Sequence, residues 1–332
     1  MHSLRGLKSA VFLALGLSSA QAATLIPVVP VPGSTATLVI GINDNNVITG
    51  SYEMADGSEH GFFGTLDGSY TTFDFDEINF PGTQARGINN KGLVTGFANT
   101  VQGDLGQFWQ FERFVDGSMK RVTDHSVPQA GVINGINTKG VFAGENYNSN
   151  DRSATGYLGK KAKVVSTVDL GFAANSVRPR GVNDSGDVVG YFTNATSSGF
   201  LIHNGVVSQI DYPDPNRRDT LLEGENNRGV IAGYWKDLSG VQYAFYIDTK
   251  TNSFVPIAVP GFTDAEALGI NSAGLITLQA FSDSSFASYV YCPKPKRKCP
   301  AGGIDVPDGS PRPAVLGAAV KIGTEEGHRT NR

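Results

Sequence analysis

The chain has 332 residues, 40% hydrophobic, 10% aromatic and only 17% charged, a composition that supports a sizeable core and excludes a disordered chain. Its 41 glycines and 16 prolines lack a Gly-X-Y period, so they mark tight turns between short strands rather than collagen. The formal charge of −4, about −6 without Arg5 and Lys8, argues against nucleic acid as a partner, because phosphate binding needs a basic face.

Residues 1–22 read as a secretory leader: Arg5 and Lys8, an apolar stretch from Ala10 to Leu17, then the small-x-small pattern Ala20-Gln21-Ala22. The apolar run is too short to span a bilayer, and no later segment is long enough either, so no membrane span is predicted. The expected product begins near Ala23 and is secreted or periplasmic. It opens with Leu25-Ile26-Pro27-Val28-Val29-Pro30, which resembles Phe254-Val255-Pro256-Ile257-Ala258-Val259 further along.

A G-I-N-x-x-G-x-[VI]-x-G pattern then recurs six times, starting at Gly41, Gly87, Gly135, Gly181, Gly224 and Gly269. Asn46 replaces the middle glycine of the first copy and Leu278 the last glycine of the sixth. Each copy reads as strand, turn, strand, with Asn and Gly supplying the turn and a β-branched segment following. A third strand carries an aromatic, as in Gly61-Phe62-Phe63, Arg113-Phe114-Val115 and Gly199-Phe200-Leu201. A fourth precedes the next copy, as in Asp74-Phe75 and Asp211-Tyr212. Four strands per repeat of roughly 46 residues is the arithmetic of a propeller blade. The fold is therefore predicted all-β, a six-bladed β-propeller spanning 23–307 as one domain. A β-solenoid competes, but its coils are usually shorter. The N-terminal strand is expected to complete the last blade; Ile304-Asp305-Val306-Pro307 is the rival for that place. Residues 308–332 read as a flexible tail.

The two cysteines, Cys292 and Cys299, are expected to pair in an oxidising compartment, a redox or metal role being the alternative. Between them lies the basic run Lys294-Pro295-Lys296-Arg297-Lys298.

The six repeats, with His60-Gly61-Phe62 in the first blade, resemble the bacterial extracellular HAF-repeat proteins. The resemblance covers nearly all of the exported chain, implies no particular chemistry, and has His in the eponymous triplet only in the first copy. Many relatives end in a sorting helix. This sequence ends in polar residues instead, which favours release over anchoring.

No nucleophile elbow, H-E-x-x-H, phosphate loop or EF-hand loop is present. His60, His125, His203 and His328 fall in different repeats or the tail and read as structural or exposed. Acidic groups at Asp74–Glu77 and at Asp211 with Asp214 lack a calcium-loop spacing, so neither metal nor cofactor is expected. The repeated Asn reads as a turn residue bonding its own backbone. A site needs asymmetry, and the strand entering each motif supplies it. The residues just before the motif Gly are Ile40, Arg86, Asn134, Arg180, Glu223 and Leu268; two earlier lie Leu38, Gln84, Val132, Arg178, Leu221 and Glu266. The polar members, Arg86, Asn134, Arg178, Arg180, Glu223 and Glu266, share one alternation face and converge on the axis. Two readings stay open: an anion- or sugar-binding mouth, or a self-paired charge cluster plugging the channel. The expected function is a monomeric exported scaffold binding a carbohydrate or protein; a sugar or ester hydrolase or lyase is the alternative.

Overall fold

The computed structural model describes residues 22–75, 82–99, 108–122, 131–148, 151, 153–293 and 299–307. Most of the leader, the basic run and the tail lie outside these, as do His125, His328, Asp76 and Glu77. The first strand is β1 (Ala22–Pro27). Blade 1 follows with β2 (Ala36–Ile42), β3 (Ile48–Glu53), β4 (Glu59–Gly64) and β5 (Tyr70–Phe73). Blade 2 comprises β6 (Thr83–Ile88), β7 (Val94–Asn99), β8 (Phe108–Arg113) and β9 (Met119–Arg121). Blade 3 has β10 (Gly131–Ile136), β11 (Val141–Tyr147), β12 (Ala154–Lys160) and β13 (Lys163–Thr167). Blade 4 has β14 (Ser176–Val182), β15 (Val188–Thr193), β16 (Ser197–His203) and β17 (Val206–Ile210). Blade 5 has β18 (Arg217–Glu225), β19 (Val230–Asp237), β20 (Gln242–Asp248) and β21 (Ser253–Pro256). Blade 6 has β22 (Asp264–Ile270), β23 (Ile276–Ser282) and β24 (Ser285–Pro293), and the last strand of all is β25 (Ile304–Pro307).

Each blade is an antiparallel meander, and the inner strands β2, β6, β10, β14, β18 and β22 pack side by side in a closed ring, β22 returning to β2. The motif glycine is dictated by this crowding. A Cβ on Gly41 would lie 2.6 Å from the Arg86 carbonyl oxygen of the next blade, and one on Gly135 2.6 Å from that of Arg180. The glycine of the second strand is equally constrained: a Cβ on Gly50, Gly96 or Gly190 would overlap the inner strand's own carbonyl oxygen. Blade 6 holds Leu278 there, and its inner-strand irregularity is wider, running from Ala267 to Ile270.

The aromatic paired with that second-strand glycine fills the space between blades: Phe62, Phe111, Tyr157, Phe200 and Phe245 are all essentially inaccessible. In blade 2 this corrects the sequence reading. The third strand is Phe108–Arg113 and its core residue is Phe111, whereas Phe114 lies in the following turn. Pairing with Gly96, not the residue type one position earlier, decides which ring is buried.

Closure uses both ends of the chain. β1 pairs with β24 and so takes the fourth position of blade 6, and β25 adds outside it as a fifth strand. The two rival segments are thus neighbours. Thr24 Oγ1 donates to Asp305 Oδ1 at 3.0 Å across them, and the Cys292–Cys299 disulfide ties β24 to the segment leading into β25. Among the described residues no helix is long and apolar enough to cross a membrane.

Candidate functional site

At one end of the channel the six repeated asparagines form a ring. Each Oδ1 accepts backbone N–H groups of its own turn, as Asn43 does from Asn45 and Val47, which is the local role their sequence context implies. Five of the six Nδ2 groups do something the repeat did not disclose. They donate to the backbone carbonyl of the next blade's asparagine: Asn43 to Asn89, Asn89 to Asn137, Asn137 to Asn183, Asn226 to Asn271 and Asn271 back to Asn43. The link from Asn183 is diverted to Asp187 Oδ2, 2.9 Å away. Asp187 also receives His203 Nδ1 at 2.9 Å. Outside the ring, Asp44, Asn90, Asp184 and Asn227 lace the rim, so this mouth is framed by internal hydrogen bonds around a cavity of about 70 Å³.

Further in, the residue before each motif glycine falls on a β-bulge. The register skips at Ala85/Gly87, Ile133/Gly135, Pro179/Gly181 and Leu222/Gly224. A bulge leaves one residue unpaired and re-aims its side chain. Arg86, Asn134, Arg180 and Glu223 line the resulting cavity of about 80 Å³, room for a few waters. Arg178 and Glu266, two residues back, lie towards the other end of the same strands.

The cluster divides into two halves. Around blades 3 and 4 it is self-paired. Glu145 is fully buried and accepts from Asn134 Nδ2 at 2.6 Å and Tyr147 OH at 3.1 Å; Arg178 and Arg180 each stand 3.6 Å from its Oε1. Arg180 also donates to Asn134 Oδ1 and Tyr191 OH, both at 2.7 Å, and Arg178 lies over the Tyr147 ring. Burial alone would lower the Arg180 pKa, but Glu145, Tyr191 and Glu223 hold it well above its ordinary value. Around blades 2, 5 and 6 the pairing is thin. Arg86 Nε is buried without a partner among the described residues, and the one ion pair of Glu223 is with Arg180 Nε at 3.7 Å. Burial raises the Glu223 pKa against the pull of Arg180 and Arg86. Burial, then the charge of Glu223, pushes the Glu266 carboxyl up to about 7. The structure thus brings Asn134, Arg178, Arg180 and Glu223 into one network around Glu145, while Arg86 and Glu266 lie near Glu223 without a hydrogen bond or ion pair to it among the described residues. It adds Glu145, Tyr191 and Tyr234, which pair across to the inner strands from the second strands, and Tyr147 two residues beyond Glu145.

The remaining candidates are accounted for locally. His60 is held by Ser58 and Asp74 and stacks on Tyr52. Asp211 pairs with Arg217 at 3.2 Å, and Asp214 caps the Asn216 N–H. No group of three or more metal-ligating side chains occurs among the described residues.

No protein-family model matches the chain, and comparison with curated proteins finds no match. Solved structures similar to it include a virginiamycin B lyase from Staphylococcus aureus, at 11% identity and a TM-score of 0.47, covering 80% of this chain and 82% of that one. An Aleuria aurantia lectin in complex with Fucα1-6GlcNAc is similar at 11% identity and a TM-score of 0.48, covering 82% and 96%. A Xanthomonas campestris gluconolactonase is similar at 11% identity and 0.47, covering 83% and 92%.

Proposed function

We propose that this chain is an exported propeller of the HAF-repeat kind that binds a carbohydrate over the channel mouth opposite the asparagine ring. The observation that carries the reading is the thinly paired half of the axial cluster: Arg86, Glu223 and Glu266, from three blades. Guanidinium donors beside carboxylate acceptors suit vicinal hydroxyls, which give and take hydrogen bonds. The channel admits only a few waters, so the ligand rests on its mouth. The leader and the disulfide support export. A glycan array with purified residues 23–332 tests this. Arg86→Ala and Glu266→Gln are the informative variants, because Arg180 is already committed to internal partners. Binding unaffected by either variant sinks the axial reading.

A second reading rests on Glu266 itself. A carboxyl poised near neutrality beside another carboxylate is the arrangement a general acid requires. Hydrolysis of an aryl glycoside or ester, lost in Glu266→Gln, would favour the enzyme over the binding protein.

A further inference from the structure

A third cavity lies away from the axis, between blades 5 and 6. It measures about 240 Å³, three times the axial one, and is lined by Tyr212, Trp235 and Tyr243 on one side and by the linker and strand Pro256–Ala265 on the other. Its aromatic wall is built by local pairing. Trp235 and Tyr243 are cross-strand partners on β19 and β20, stacked with centroids 4.5 Å apart, and Tyr212 from the preceding linker stacks on Trp235 at 5.0 Å. The equivalent pairs Ala98–Trp109, Phe192–Ser198 and Ala280–Ala287 hold at most one ring. Blade 1 has Tyr52–His60, but that imidazole is bonded to Ser58 and Asp74. The wall therefore belongs to blade 5 and is not a product of the repeat.

The polar groups around it are of both kinds. Asp264 is fixed by accepting the Gln242 backbone N–H at 3.0 Å and Thr263 Oγ1 at 2.9 Å, which leaves it further acceptor capacity. The Gln242 side-chain amide and the Tyr212 hydroxyl have no hydrogen-bond partner among the described residues. A small cavity with a flat aromatic wall, a held carboxylate and an unengaged amide matches a ring with apolar C–H faces and hydroxyl edges. An alkylammonium group would use the carboxylate and leave the amide unmet. The volume is below the roughly 300–1,000 Å³ of drug-sized sites, which limits the occupant to a single ring.

We propose that this inter-blade cavity is a binding site for one pyranose unit, with Gln242 and Asp264 engaging hydroxyls and the Tyr212–Trp235–Tyr243 stack forming its wall. The site does not rest on the axial reading, although Asp264 stands two residues before Glu266 on the same face of β22. Saturation-transfer NMR on the unmodified exported chain tests it, using methyl glycosides of glucose, galactose, mannose, fucose and N-acetylglucosamine, with tetramethylammonium as a counter-probe. A Trp109→Phe chain, in which Trp235 is the sole tryptophan, reports the location by fluorescence. One sugar is expected to saturate, to perturb Trp235 emission, to bind about tenfold more weakly in Gln242→Ala, and to be excluded by Ala258→Trp. Arg86→Ala leaves this binding intact, which separates it from an axial ligand. The proposal is overturned if no sugar saturates, if tetramethylammonium alone binds, or if Gln242→Ala matches the parent while circular dichroism shows both folded.

Discussion

Glu145 is a hub of the channel's order, since Asn134, Tyr147, Arg178 and Arg180 all turn towards it. Removing one member of a buried charge network strands the others. Glu145→Ala is therefore expected to cost about 3–5 kcal/mol in urea unfolding, whereas Arg86→Ala, which breaks no hydrogen bond or ion pair among the described residues, should cost far less. Glu225 makes a different prediction. It replaces the Ile or Val that precedes the repeated Asn in the other five blades, and its Oε2 is buried without a hydrogen-bond partner among the described residues. Burial, then the charge of Asp187, pushes its pKa up to about 8. A carboxyl whose folded pKa is raised keeps its proton in the native state after the unfolded chain has released it. Its contribution is intact below about pH 4.5 and is lost as pH climbs to about 8, each unit being worth about 1.4 kcal/mol. Glu225→Gln should flatten that decline; urea midpoints at pH 5 and pH 9 that fall equally in both proteins would refute it.

At the scale of the element, the disulfide sits where blade 6 is assembled from distant parts of the chain. Cys292 is fully buried in β24 opposite Thr24 of β1, so the short loop it closes also positions β25. Reduction is expected to cost about 2–3 kcal/mol, read as a drop in the urea midpoint with dithiothreitol. The repeats were legible in the sequence because Gly and Asn were imposed by backbone crowding and turn geometry, which recur in every blade. What one blade cannot reveal is where a side chain goes in the next. The Asn137 amide reads as a turn residue in either case, yet its second half bonds Asn183. Alternation likewise found Arg178 and Arg180 but not Glu145, which sits on the second strand and is visible only once Val132 is known to face it. The same limit hid the inter-blade cavity, whose walls come from four separated segments.

For the whole molecule, the ring is closed by pairing β1, at the start of the propeller, with β24 near its end. Such topology predicts slow, cooperative folding. Deleting residues through Pro27 should leave β24 unpaired and give an aggregating, incompletely folded chain, while deleting from Gly303 onward should only expose β1 as an edge. Size-exclusion chromatography and amide exchange distinguish the two; equal damage from both deletions would contradict the assigned order. Ala22 and Pro307 face each other across the β1–β25 pair. The outer two strands of blade 6 thus bring residues 22 and 307 side by side. A short turn from 307 to 22, with new ends cut at the Asn204-Gly205 hairpin, should yield a permuted protein of the same shape whose first strand no longer waits for its last.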